Sequence, residues 1–202
     1  MAMARESESE LSVEELRNAG IKAFENASEL VEEAQVLHKH GHLSRALFLC
    51  CISGEELGKS FISLSAVANR ITGAFDEKRY KERFRAHREK TGVLMFLEDV
   101  FVFELPPELP KVKRDAEAVE KSKLSALYCD FYGTEAQKPS EVIPEHLVNT
   151  TLEVAKQRLK YFADNVRPKF DYVLEIDKTK AIQFQREFLQ TMAAHRDADS
   201  KP

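Results

Sequence analysis

The chain has 202 residues, 30 Lys plus Arg against 34 Asp plus Glu, and a net charge near −4. That length suits one domain with a single core, and the balance gives no global attraction to nucleic acid. Binding to an anionic partner would need a local basic patch. The one in view is residues 78–90, with Lys78, Arg79, Lys81, Arg83, Arg85, Arg88 and Lys90, though such a run is equally a solvated helix face.

Only seven glycines and seven prolines punctuate the chain, which favours an all-α fold over a many-stranded sheet. Residues 1–10 are polar and acidic, without an apolar leader, and read as a disordered segment. Ser12-Val13-Glu14-Glu15 is a capping box that predicts a first helix, with Leu11 and Leu16 as its staple. Ile21, Phe24, Ala27, Leu30, Val31, Ala34 and Leu37 continue it to a stop at Gly41. A second helix runs from about His42 to Ile71 and is apolar on most sides between Ala46 and Ala68, as a central helix would be.

Asp76 caps a third helix expected to run unbroken to about Phe103. Its stripe is Tyr80, Phe84, His87, Thr91, Leu94, Met95 and Phe101. Residues 104–110, with Pro106, Pro107 and Pro110, form a connector, and Lys111 to about Tyr128 a fourth helix. Gly133–Pro144 reads as a polar loop and Glu145 to about Val166 as a fifth helix, broken at Arg167-Pro168. A helical tract from Lys169 to about Ala194 follows, in which Tyr172, Val173 and Ile176 fit either a helix or a short extended piece. The expected division is a bundle over 11–166, a helical extension over 167–194 and a disordered tail over 195–202.

Cys50, Cys51 and Cys129 show neither an even disulfide framework nor metal-pair spacing, so reduced thiols are expected. No apolar run approaches the roughly twenty residues of a membrane span. A cytoplasmic protein without membrane association is the expectation. His38, His40 and His42 lie two apart across the turn at Gly41, a surface-turn spacing rather than that of helical metal ligands. Neither a metal nor a cofactor is expected.

The second helix carries Glu55-Glu56-Leu57-Gly58-Lys59. Glu55 and Lys59, four apart, share a face, and an ion pair in an apolar stripe needs a partner or a cavity. Glu56 faces a more polar side with Ser53, Ser60 and Ser63. Gly54 and Gly58, one turn apart, cost helix stability and imply close approach of another backbone or a ligand. His87, with Lys90 three residues on, could join Glu55 and Lys59 from a facing helix. A histidine so placed is either a hydrogen-bonded core residue or a proton-transfer group set by a carboxylate.

Residues 42–59, ending Gly54-Glu55-Glu56-Leu57-Gly58-Lys59, resemble the signature helix of the AbiV-type abortive-infection family of the HEPN superfamily. Phe84-x-x-His87-x-x-Lys90 and Lys123-x-x-x-Leu127-Tyr128-x-Asp130 are similar to that family's later motifs, so the resemblance covers about 12–166. It implies an antiparallel helical bundle with additional C-terminal helices, homodimerisation and a role in defence against phage through RNA or translation. It also implies RNA (tRNA or mRNA), not DNA, as substrate and a phage protein as activator. In an enzyme of this kind His87 would be the general acid/base, Glu55 its orienting group, and Lys59 and Lys90 the phosphate ligands. Glu56, Lys123, Tyr128, Asp130 and Arg83 would be supporting or RNA-contacting positions. The alternative is a non-catalytic helical module that binds a phage or host protein. The chain departs from the Arg-x(4–6)-His pattern of HEPN ribonucleases: Lys81, not arginine, stands at the matching distance before His87.

Overall fold

The computed structural model describes residues 10–98, 109–132, 134–175, 179–180 and 182–183. Within them the chain is all-α apart from one small hairpin. The helices are α1 (Val13–Lys39), α2 (Leu43–Thr72), α3 (Glu77–Arg85), α4 (His87–Leu97), α5 (Leu109–Leu127), α6 (Pro139–Val142), α7 (Glu145–Asn165) and α8 (Arg167–Glu175). No helix among the described residues is long and apolar enough to cross a membrane.

α1 starts where the capping box requires it. The Ser12 hydroxyl accepts from the Glu15 amide at 3.1 Å and the Glu15 carboxylate accepts from the Ser12 amide at 2.7 Å. Ser12→Ala should therefore cost about 1 kcal/mol, read as a lower urea midpoint at unchanged slope. The buried face of α1 is mostly small: Leu16, Gly20, Ala23, Ala27, Val31 and Ala34. Small residues let α1 lie close against α2, and Ser53 donates to the Ala27 carbonyl at 2.9 Å.

α2, about 45 Å long at 1.5 Å per residue, is the axis of the fold. Its Ala46, Leu47, Cys50 and Cys51 join Val31 and Ala34 of α1, Ala126 of α5, and Val148, Leu152 and Ala155 of α7. Leu57 meets Ala27, Leu94, Phe162, Val166 and Phe170 in a middle cluster. Ile62, Ala66 and Val67 meet Leu16, Tyr80 and Val173 at the far end. Burial pushes the Cys50 thiol up to about 11 and Cys51 to about 12, as for unreactive core thiols.

Two expectations need correction, and one open alternative is decided. The third helix is not continuous: Ala86 is extended (φ −72°, ψ 115°) and separates α3 from α4. No proline or glycine marks this break. It lets Tyr80 and Phe84 pack in the far cluster while Lys90 and Leu94 face the middle of α2. The loop at 133–144 contains structure: β2 (Glu135–Gln137) pairs antiparallel with β1 (Asp130–Tyr132) just before it, Asp130 opposite Gln137, and α6 follows. Tyr172 and Val173 lie in α8 and are helical rather than extended. The buried Phe170 ring fills the notch at Gly20, where a Cβ would stand 2.4 Å from it. The 104–108 part of the connector, the end of the third helix near Phe103, Ile176, most of the tract to Ala194 and both termini lie outside the described residues.

Candidate functional site

Glu55 is the centre of a polar cluster built from three helices. Its carboxylate, only 3% exposed, accepts from Lys123 Nζ of α5 at 2.7 Å on Oε1. On Oε2 it meets His87 Nδ1 at 2.6 Å and Lys90 Nζ at 3.0 Å, both from α4. Lys123 also pairs with Glu120, one turn away, at 2.6 Å. Burial is the largest single influence on Glu55 and would raise its pKa. The bonds from Lys123, His87 and Lys90 together prevail, and the pKa is lowered. Burial likewise works against charge on Lys123, but its bonds to Glu120 and Glu55 raise its pKa.

This arrangement settles the tautomer of His87. An ionised carboxylate only accepts, so Nδ1 carries the hydrogen and Nε2 of the neutral ring holds the lone pair. His87 is the first residue of α4 and its side chain is 60% exposed. Lys90 and Lys123, in contrast, are almost fully buried. The cluster is therefore sealed on its lysine side and open at the imidazole.

The glycines explain how α4 comes so close. A Cβ at Gly58 would lie 2.2 Å from the Lys90 carbonyl oxygen, and one at Gly54 would lie 3.3 Å from Leu94. Both positions serve close approach of α4 to α2, as their spacing predicts. The same Cβ would lie 3.6 Å from Arg158 of α7, which makes a two-pronged ion pair with Glu98, its Nη2 bond at 2.8 Å.

The pairing expected between Glu55 and Lys59 does not form. Lys59 bonds Glu56 at 2.5 Å and lies over the Phe84 ring, 5.4 Å from its centroid. Glu55 instead points at α4 and α5, where two buried ammonium groups compete successfully with an i+4 lysine nearer the surface. Glu56 is also buried and takes the ammonium that Glu55 leaves free.

Of the other sequence candidates, Arg83 pairs loosely with Glu89 at 3.5 Å, and Tyr128 is exposed just beyond α5. Asp130 opens β1. Lys81 is held by Glu77, one turn back, at 2.7 Å. In the basic run, Lys90 is interior, Lys78 and Arg79 are exposed in the first turn of α3, and Arg85 and Arg88 are exposed on either side of the α3–α4 break. His38 is engaged by Asn149 of α7 at 2.5 Å. Sequence reasoning missed Glu120, and placed Lys123 at the margin of a site in which it is a direct partner. The sequence signal for Lys123 was its place at the head of the third motif.

The first motif thus supplies the carboxylate, Glu55, and the other two deliver its partners, His87 and Lys90 from the second and Lys123 from the third. Residues 15–160 match the family model described as AbiV, of the HEPN type. The chain belongs to the AbiV family of HEPN domains. The matched region runs from the first turn of α1 to near the end of α7, so it contains the whole Glu55 cluster and excludes α8. No curated protein and no solved structure matches the chain. In this AbiV-family domain the Phe-x-x-His-x-x-Lys motif has a direct structural meaning. Phe84 packs tilted against Tyr80 and covers Lys59, while His87 and Lys90 reach Glu55.

Proposed function

We propose that this AbiV-family protein acts in abortive infection as a metal-independent ribonuclease, with His87 as its proton-transfer group and Glu55 holding it. The observation that carries this reading is the exposed imidazole whose Nδ1 is bound at 2.6 Å to a buried, ionised carboxylate. Such a carboxylate fixes ring orientation and tautomer and stabilises the imidazolium once it forms. Nε2 would remove the proton of an RNA 2′-hydroxyl as its oxygen attacks phosphorus. The 5′-oxygen bond breaks, and that oxygen receives a proton back from the imidazolium. The products are a 2′,3′-cyclic phosphate and a 5′-hydroxyl.

Phosphate charge would fall to exposed cations near the start of α4, Arg85 and Arg88 among them, and to the N-terminus of that helix, which Ala86 leaves without a side-chain cap. Lys90 and Lys123 are committed to Glu55, and Lys59 to Glu56, so a phosphate role for Lys59 or Lys90 would require breaking an internal pair. We place the activity in the cytoplasm, on tRNA or mRNA, with a phage protein as trigger. The reading as a homodimer is supported by an exposed apolar stripe of Leu124, Leu127 and Tyr128 on and just beyond α5, the helix that carries Lys123.

The test is incubation of purified protein with total RNA and with tRNA beside His87→Ala, reading fragment ends for cyclic phosphate. Loss of a general acid/base should slow cleavage about 10²–10⁴-fold, and the exposed position should leave folding intact. Equal cleavage by both proteins removes His87 from the mechanism.

A second reading has its own observation. Glu55, Lys90 and Lys123 are sealed and mutually satisfied, as in a polar network that sets helix register in a non-catalytic module. Under that reading His87→Ala changes neither RNA nor partner binding, and the domain works by docking a phage or host protein.

A further inference from the structure

α4 and α5 enclose a cleft of about 500 Å³. Its apolar lining comes from Gly92, Val93 and Phe96 on α4 and from Val112 and Ala116 on α5, and Arg83 and Arg88 stand among its lining residues. Arg88 and His87 both stand in the first turn of α4, so the cleft and the imidazole belong to the same end of that helix.

Gly92 is unlike the glycines of α2. A Cβ at Gly58 or Gly20 would collide with a neighbour, whereas one at Gly92 would meet no heavy atom within 4 Å. A glycine inside a helix weakens it, and here no close helix contact compensates. What its missing side chain provides is open space on the α4 wall of the cleft. The charged residues at the cleft are also only lightly held. Arg88 reaches across to Glu117 of α5 at 3.9 Å with both side chains largely exposed, and Arg83 meets Glu89 at 3.5 Å. Exposed pairs of that length are weak and exchange readily for a stronger anion.

An apolar slot with exchangeable guanidinium groups beside it suits a flat heterocycle carrying a phosphate. We propose that the α4–α5 cleft is a nucleobase-binding subsite, which seats one base of the RNA against Gly92 and Phe96 and its phosphate on Arg88. This rests on the ribonuclease reading above and adds to it the element that positions a phosphodiester at His87. A base held there would make cleavage depend on the nucleotide next to the scissile bond.

The experiment uses the full chain, with AMP, CMP, GMP and UMP titrated by calorimetry and inorganic phosphate and adenosine as controls. Wild type should bind at least one nucleotide. Gly92→Leu, which fills the slot in a helix that tolerates leucine better than glycine, should weaken that binding at least tenfold with unchanged circular dichroism. Arg88→Ala should weaken nucleotide and leave adenosine unaffected, and it keeps the proposal open to test should Gly92→Leu fail to fold. Absence of binding by all four nucleotides, equal binding by Gly92→Leu, or phosphate binding as well as AMP overturns the proposal. The two readings separate. Normal RNA cleavage by Gly92→Leu beside an inactive His87→Ala overturns the cleft alone. Cleft-dependent nucleotide binding in a protein that cleaves no RNA overturns the ribonuclease and retains the cleft.

Discussion

Glu55→Ala is expected to lower stability at pH 7 by about 3–5 kcal/mol, because it strands buried cations. Lys90 loses the carboxylate that holds it at 3.0 Å, and Lys123 is left with Glu120. Desolvation of an unpaired ammonium is the cost, rather than loss of the pair's net worth, which is small for a buried ion pair. Replacing Glu55, Lys90 and Lys123 together by Met should therefore recover most of the loss while leaving His87 without its partner. Urea unfolding of the single and triple variants checks this. A single variant within about 0.5 kcal/mol of wild type, as for an ordinary surface substitution, contradicts the central role of the carboxylate.

The same group sets an acid limb. The folded pKa of Glu55 lies below its ordinary 4.5, so folding favours the ionised form. Its contribution is complete above about pH 4.5 and is lost as pH falls through the lower folded value. Lys123 works at the other end: its folded pKa lies above 10.5, so its contribution is present below that pH and is lost as pH rises through the folded value. Urea midpoints of wild type and Glu55→Ala should converge on acidification. Parallel curves below about pH 4.5 would show that Glu55 adds no acid dependence.

Gly58→Ala should destabilise by about 1–3 kcal/mol, although alanine gains roughly 1 kcal/mol over glycine as a helix former. The new methyl would stand 2.2 Å from the Lys90 carbonyl oxygen and 2.7 Å from its carbon, and backbone atoms do not swing aside. α4 must move as a body, taking His87 and Lys90 away from Glu55. Gly92→Ala is the matched opposite: with open space at its Cβ it should gain up to about 1 kcal/mol. Equilibrium unfolding gives both signs, and the imidazole NMR signals of His87 report whether the bond to Glu55 survives. A Gly58→Ala protein as stable as wild type, with those signals unmoved, would contradict the close α2–α4 contact.

Much of the helical frame was legible because local chemistry controls it. Ser12 and Glu15 start α1, and Gly41 and Gly73, both at positive φ, lie at the turns that close α1 and α2. The all-round apolarity of Ala46–Ala68 marks the central helix. Less legible were events that local propensity does not encode. Residues 77–98 read as one helix, because helical periodicity persists through an unremarkable Ala86. The hairpin of β1 and β2 went unread, and β2 fell in the loop expected over 133–144, because three-residue strands carry too little pattern to register.

The site divides the same way. From the sequence alone come the three motifs, the family to which they belong, the buried placement of Glu55, and the close approach implied by Gly54 and Gly58. Helical spacing made Lys59 the natural partner of Glu55, since i and i+4 share a face. Only the tertiary structure decided that Glu55 turns instead to His87, Lys90 and Lys123, leaving Lys59 to Glu56. Spacing along one helix names the neighbours a carboxylate can have. Which of them it takes depends on burial, and an ammonium brought in by another helix binds a desolvated carboxylate more strongly than one that can reach water.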